Sequence, residues 1–129
     1  MSELGEKLIG TVRALAENNP DFIYEAPDDR SCVYVLDGLP SCIVGKALWA
    51  HGLIGASLET AENIVSTTVY GLGSAPANVA AADDLFVWLG IELDASEVAW
   101  LVAVQGEQDN GISWGRAVEV TDEELTSAV

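Results

Sequence analysis

The chain has 129 residues, half of them hydrophobic, and carries 21 Asp and Glu against 5 Lys and Arg, a formal net charge of −16. A length of this order makes one domain, residues 1–129, and the apolar content with four Trp argues for a packed core rather than disorder. The shortage of bases disfavours phosphate-led binding to nucleic acid and attraction to anionic membranes. No Lys or Arg occurs from Ala47 through Gly115, an interval that holds nine acids.

In chain order, Ser2 is placed to cap a first helix running to about Glu17. Leu4, Leu8, Val12 and Leu15 recur at helical spacing, and Asn19-Pro20 ends the run. Phe22-Ile23-Tyr24 and Cys32–Leu36 are rich in aromatic and β-branched residues, which predicts an antiparallel hairpin. Asp37-Gly38-Leu39-Pro40 reads as a turn, after which Ser41 caps a helix of Cys42–His51 closed by Gly52. Leu53–Gly73 is ambiguous. Val65–Tyr70 is strand-like in composition, but Leu58, Ala61, Ile64 or Val65, Val69 and Leu72 fit helical spacing, and short helices are preferred here. A helix of Ala77–Leu89 follows, with Val79, Ala82, Leu85, Phe86 and Leu89 as its inner stripe and Gly90 closing it.

The stretch Asp94–Gly111 is the centre of the chain. Val98–Val104 is seven apolar residues, flanked by the D-x-x-E capping arrangement of Asp94 and Glu97 and by Asn110-Gly111. An all-apolar segment of this kind is expected to be buried on every side. A short helix from Trp114 to about Val120 and a frayed acidic tail, Thr121–Val129, complete the chain. The sum is an α+β fold, mainly helical: a compact helical domain with one small antiparallel β hairpin near the N-terminus.

Little in the sequence points to catalysis. Cys32, Cys42 and His51 lack the close pairing of structural zinc ligands, and two cysteines do not make a disulfide framework. They are read as buried, reduced thiols. Cys42 and His51 lie at opposite ends of one helix, too far apart for a nucleophile–base pair. Asp83-Asp84 and the Glu92, Asp94, Glu97 group lack calcium-loop spacing, and Gly71-Leu72-Gly73 is not a phosphate cradle because no lysine follows. No cofactor and no metal are expected. The N-terminus has no basic, apolar leader and no run approaches a membrane span, so a cytoplasmic setting is expected.

The densest polar–aromatic cluster is Gln105, Gln108, Asp109, Trp114 and Arg116. Its bland role is to tie the last helix to the central one, with Trp114 packed and Arg116 paired to Asp109 or Glu119; its other role is a binding edge. Trp49 falls outside the inner stripe of Ile43, Val44, Ala47 and Leu48, which makes it the expected exposed anchor. Asp37–Gly45 and Trp100–Val118 together resemble small acidic proteins of actinobacteria and their phages. That resemblance implies a bacterial or phage setting and transfers no activity or site. The leading expectation is a non-enzymatic module that binds a protein partner or itself, without direct nucleic-acid or membrane contact. The alternative is a nucleic-acid mimic that inhibits a DNA-binding protein.

Overall fold

The computed structural model describes residues 2–25, 33–68 and 71–127. Helix α1 (Glu3–Asn18) starts as expected, with Ser2 Oγ accepting from Gly5 N at 3.0 Å. Leu8, Ile9, Val12 and Ala16 put one face of α1 into the core. Strands β1 (Val35–Leu36) and β2 (Leu39–Pro40) pair antiparallel across Asp37 and Gly38. Both turn residues have positive φ, +53° and +78°, as a two-residue hairpin that matches strand twist requires. Glu59 holds this turn from outside: its two carboxylate oxygens accept from Asp37 N at 2.8 Å and Gly38 N at 3.0 Å.

The small hairpin near the N-terminus is therefore present, but its strands are not the expected ones. Phe22-Ile23-Tyr24 forms no strand, and Cys32 lies outside the described residues. The reason is a competing use of the backbone. Pro20 O and Phe22 O accept from Gly115 N and Trp114 N, two donors that the start of a helix leaves without intrahelical partners. Strand β1 pairs on one side with β2. On the other side the buried Asn78 imitates a strand, its Oδ1 accepting from Val35 N at 2.9 Å and its Nδ2 donating to Val35 O at 2.8 Å.

Helix α2 (Ile43–Ala50) is capped by Cys42, not Ser41; Cys42 Sγ accepts from Gly45 N at 3.4 Å. Gly45 permits the close seat of α2 on β1, because a Cβ there would stand 2.6 Å from the Tyr34 carbonyl oxygen. Cys42 is also disulfide-bonded, and no free cysteine occurs among the described residues. This corrects the expectation of a reduced thiol: one cross-link does not need the dense cysteine spacing of a multi-bridge framework.

The ambiguous stretch resolves against the helical preference. After a 3-10 turn at Ala56–Thr60, β3 (Asn63–Thr68) pairs antiparallel with β4 (Gly71–Pro76), with Ile64 opposite Ala75 and Val65 opposite Ser74. Ile64 is buried and Val65 exposed, which is the two-residue period of a strand, so β-branched composition was the better guide than spacing. Helix α3 is shorter than expected, Ala82–Leu89, because Ala77–Val79 forms a separate 3-10 turn; Gly90 closes α3 at φ +74°.

Helices α4 (Ala95–Asp109) and α5 (Trp114–Ser127) complete the fold. α5 extends well past Val120. Trp114, Ala117, Thr121 and the partly buried Leu125 keep helical spacing through the acidic segment, which is one face of a helix rather than a frayed tail. The core joins α1, α2, α3, α4 and α5 in one cluster that includes Val12, Leu48, Leu85, Leu101, Val104 and Trp114.

Two outcomes follow. Leu101 is 1 % exposed, so Leu101→Ala should cost ~2–5 kcal/mol in urea unfolding through lost transfer energy and a residual cavity; a change near zero would contradict its core position. Peptide mapping after rapid alkylation should find Cys42 protected until a reductant is added, whereas immediate labelling would contradict the disulfide.

Candidate functional site: the seam between α3 and α4

The polar–aromatic cluster does come together, but mostly indoors. Gln108 is fully buried. Its Oε1 accepts from Ile43 N at 2.8 Å and from Trp114 Nε1 at 3.1 Å, and its Nε2 donates to Asp109 Oδ1 at 3.1 Å. One side chain on α4 thus satisfies the first free donor of α2 and the indole of α5. Trp114 is buried and stacks tilted on Phe22 at 4.5 Å. Gln105 is 5 % exposed, and the Tyr34 hydroxyl donates to Ala80 O at 2.6 Å. Burial pushes the Tyr34 phenol far above its ordinary range, and the charges of Asp109, Asp83 and Asp84 add to the effect. Arg116 is exposed on α5 and pairs with Glu119 at 3.1 Å and Glu123 at 3.8 Å, not with Asp109. The cluster is a tie between α2, α4 and α5, and only Asp109 and Arg116 of it reach the surface.

Trp49 is not an exposed anchor either. It is partly buried and packed against the core. The Trp at the surface is Trp88 on α3, 39 % exposed, beside Val87 at 81 %. The signal for this pair was in the sequence, since both fall outside the stripe Val79, Ala82, Leu85, Phe86 and Leu89. Trp49 likewise falls outside the inner stripe of its own helix, yet it packs against the core.

The α4 helix inverts the expected pattern. Its capping box forms, with Glu97 Oε1 accepting from Asp94 N at 2.8 Å. Glu97 itself is fully buried, and Ser2 Oγ donates to it at 2.6 Å. Burial pushes the Glu97 carboxyl up, but the hydrogen bonds from Ser2 and Asp94 outweigh this and hold it below the ordinary carboxylate range. Glu97, Gln105 and Gln108 point inward, while Val102 is 38 % exposed and Val98 only partly covered. The seven-residue apolar run is therefore not buried on every side.

Val98 and Val102 lie one turn apart and border two clefts between α3 and α4. The first, about 570 Å³, has Phe86, Val87, Ile91, Leu93 and Val98 as apolar walls and Asp83, Glu92 and Asp94 as acids. The second, about 260 Å³, is lined by Val79–Ala82 on one side and Val102, Gln105, Gly106 and Asp109 on the other. Gln105 Oε1 is buried with no hydrogen-bond partner. Among the described residues, no three His, Cys, Asp or Glu side chains gather as a metal site requires, and no helix is long and apolar enough to cross a membrane. Cys42 and His51 stand at the two ends of α2, and His51 Nε2 shares a 2.7 Å hydrogen bond with Thr11 Oγ1 of α1.

A second tie lies on the far side of α4. Arg13 donates to both oxygens of Asp122, at 2.8 and 2.9 Å, and stacks on Trp100 at 4.9 Å, while Trp100 Nε1 donates to Asp122 at 2.8 Å. Sequence reading missed Asp122 because it sits in the segment taken for a tail. No protein-family model, curated protein or solved structure matches the chain.

Two further outcomes follow. Gln108→Leu leaves two buried donors without an acceptor and should cost about 2–4 kcal/mol in urea unfolding; a neutral effect would contradict the tie. The hydrogen bond from Arg13, against the cost of burial and with help from Trp100, holds the Asp122 carboxyl below its ordinary value. A depressed folded pKa gives stability that is complete above the unfolded value of about 3.9 and is lost as pH falls through the folded one. Asp122→Asn should therefore lose less melting temperature than wild type between about pH 5 and about pH 2. Equal losses would contradict this.

Proposed function

We propose that the protein is a small, acidic, non-enzymatic module that binds a protein partner. The observation that carries the reading is the exposed apolar pair Val87 and Trp88 on α3, set in a chain of net charge −16. Exposed aromatic and aliphatic residues that a fold does not need for its own core are the usual material of interface centres. Here the fold has filled its core with Trp100 and Trp114 and left Trp88 outside. The strong negative charge speeds encounter with a basic partner and disfavours anionic ones.

The nucleic-acid mimic is the weaker reading. It calls for an unbroken acidic surface, whereas the acids along the α3–α4 seam alternate with Val87, Val98 and Val102. A bacterial or phage setting is proposed on the sequence resemblance alone. A cytoplasmic setting is the sequence expectation, and the disulfide of Cys42 counts against it, because disulfides persist where the surroundings are oxidising.

Affinity capture from the native cell tests the reading, using wild type and the pair Val87→Ser with Trp88→Ser at equal melting temperature. A partner recovered reproducibly by wild type should fall about tenfold or more with the variant, as expected when hot-spot residues are removed. Recovery of every captured protein at equal yield by the variant would overturn it.

A further inference from the structure

We infer that the disulfide of Cys42 is a reversible redox latch, with Cys42 as the thiol that leaves when it opens and as the cap of α2 in both redox states. The inference goes beyond the protein-binding reading and does not depend on it. Cys42 is disulfide-bonded and fully buried. The chain holds one other cysteine, Cys32, which lies outside the described residues.

The fold places Cys42 without help from its S–S bond. Its N–H donates to Val33 O at 3.3 Å, and its carbonyl accepts from Lys46 N at 2.8 Å. Ser41 N donates to Tyr34 O at 2.9 Å, so backbone pairing continues from β1 and β2 down to the foot of α2. The hairpin itself is held at its turn by Glu59 and along β1 by Asn78, and Ile43 is held by Gln108. None of these bonds involves sulfur. Opening the disulfide therefore releases the stretch of chain before Val33 from α2 and leaves α2, the hairpin and the Gln108 tie in place.

The foot of α2 also suits a departing thiolate. Cys42 Sγ accepts from Gly45 N at 3.4 Å, and the close seat of Gly45 on Tyr34 fixes that donor in place. Helices α1, α3 and α4 each carry acids in the first turn, whereas α2 carries none, so no acid of its own first turn offsets the positive end of its dipole. A helix N-terminus favours the thiolate, and an anionic sulfur accepts the Gly45 N–H more strongly than a disulfide sulfur does. Burial opposes the charge, and the dipole and the cap are what counter it. A thiol stabilised as its anion leaves faster and makes the reduced form easier to reach.

The exchange balances with a small-molecule thiol such as glutathione. Cys42 Sγ is closed to solvent, so the incoming thiolate attacks the partner sulfur, forms a mixed disulfide there and expels Cys42 as its thiolate. A second glutathione thiolate attacks the glutathione sulfur of the mixed disulfide, releasing oxidised glutathione and the second protein thiolate. Two electrons thus pass from two glutathione molecules to the protein, and solvent supplies the protons of the resulting thiols.

Native protein titrated with reduced and oxidised glutathione, quenched in acid, alkylated and mapped by mass spectrometry tests the inference. The bond should open without denaturant within the span of cellular glutathione poise and close again when oxidised glutathione is raised. The transient glutathione adduct should map to Cys32, with none on Cys42. Trypsin should cut after Arg30 about tenfold or more faster in the reduced protein, with cutting after Arg13, Lys46 and Arg116 unchanged. Cys42→Ser keeps an oxygen cap and cannot form the bond. It should retain the helical circular dichroism of wild type and be cut after Arg30 as the reduced protein is, and Cys42→Ala, which has no cap, should melt below it. Reduction that requires the urea concentration that unfolds the chain would make the bond a permanent staple and overturn the latch. So would loss of the fold on reduction, glutathione mapping to Cys42, equal cutting after Arg30 in the two redox states, or equal melting of the Ser and Ala variants.

Discussion

The oxygen of one buried amide holds three elements in place. Gln108 Oε1 accepts from the Ile43 backbone of α2 and from the Trp114 indole of α5 while its own backbone is part of α4. Each donor has few alternatives. Ile43 N belongs to the first turn of a helix, where no intrahelical acceptor exists, and an indole N–H is a donor only. Buried and shared, the contact fixes direction as well as proximity, which apolar packing alone does not do. The entry of α5 depends on it from one side and on the carbonyls of Pro20 and Phe22 from the other. The Arg13, Asp122 and Trp100 tie then anchors α5 further along its length.

This arrangement has a consequence for the surface. Because Glu97, Gln105 and Gln108 occupy the inner face of α4, part of its apolar run is turned outward. Val98 and Val102 join Val87 of α3 along a seam whose polar residues are Ser2, four acids and a glutamine. In a chain with a net charge of −16, self-repulsion opposes association of two copies through such apolar residues. Polar residues inside and apolar residues outside on one helix are thus two sides of a single choice in how α4 is used.

Much of the scaffold was legible. Helix α1 follows its spacing, its Ser2 cap and the Asn-Pro stop; α4 follows its capping box; and Gly90 ends α3 as read. The cluster around Gln108 was also identified, with its bland role as the tie that the geometry shows. The misses have separate causes. The β3–β4 hairpin was passed over because apolar residues spaced by three and four can arise by chance in a strand with exposed positions such as Val65. α5 was cut short because acidic residues were read as solvated tail, although Thr121 and Leu125 keep the helical stripe going. Phe22–Tyr24 forms no strand because the carbonyls of Pro20 and Phe22 serve the start of α5, a long-range demand that local pattern does not carry. The α3–α4 seam was least legible, since it depends on which face of an all-apolar run turns outward.

Amide hydrogen exchange at Ile43 tests the central tie most directly. Its N–H is held by a fully buried glutamine oxygen rather than by its own helix, so it should exchange only with global unfolding. Its opening free energy should equal that of the slowest core amides and of urea unfolding. Fast exchange at Ile43, with Leu101 and Val104 still protected, would mean that the helix start opens locally and that Gln108 does not hold the three elements together.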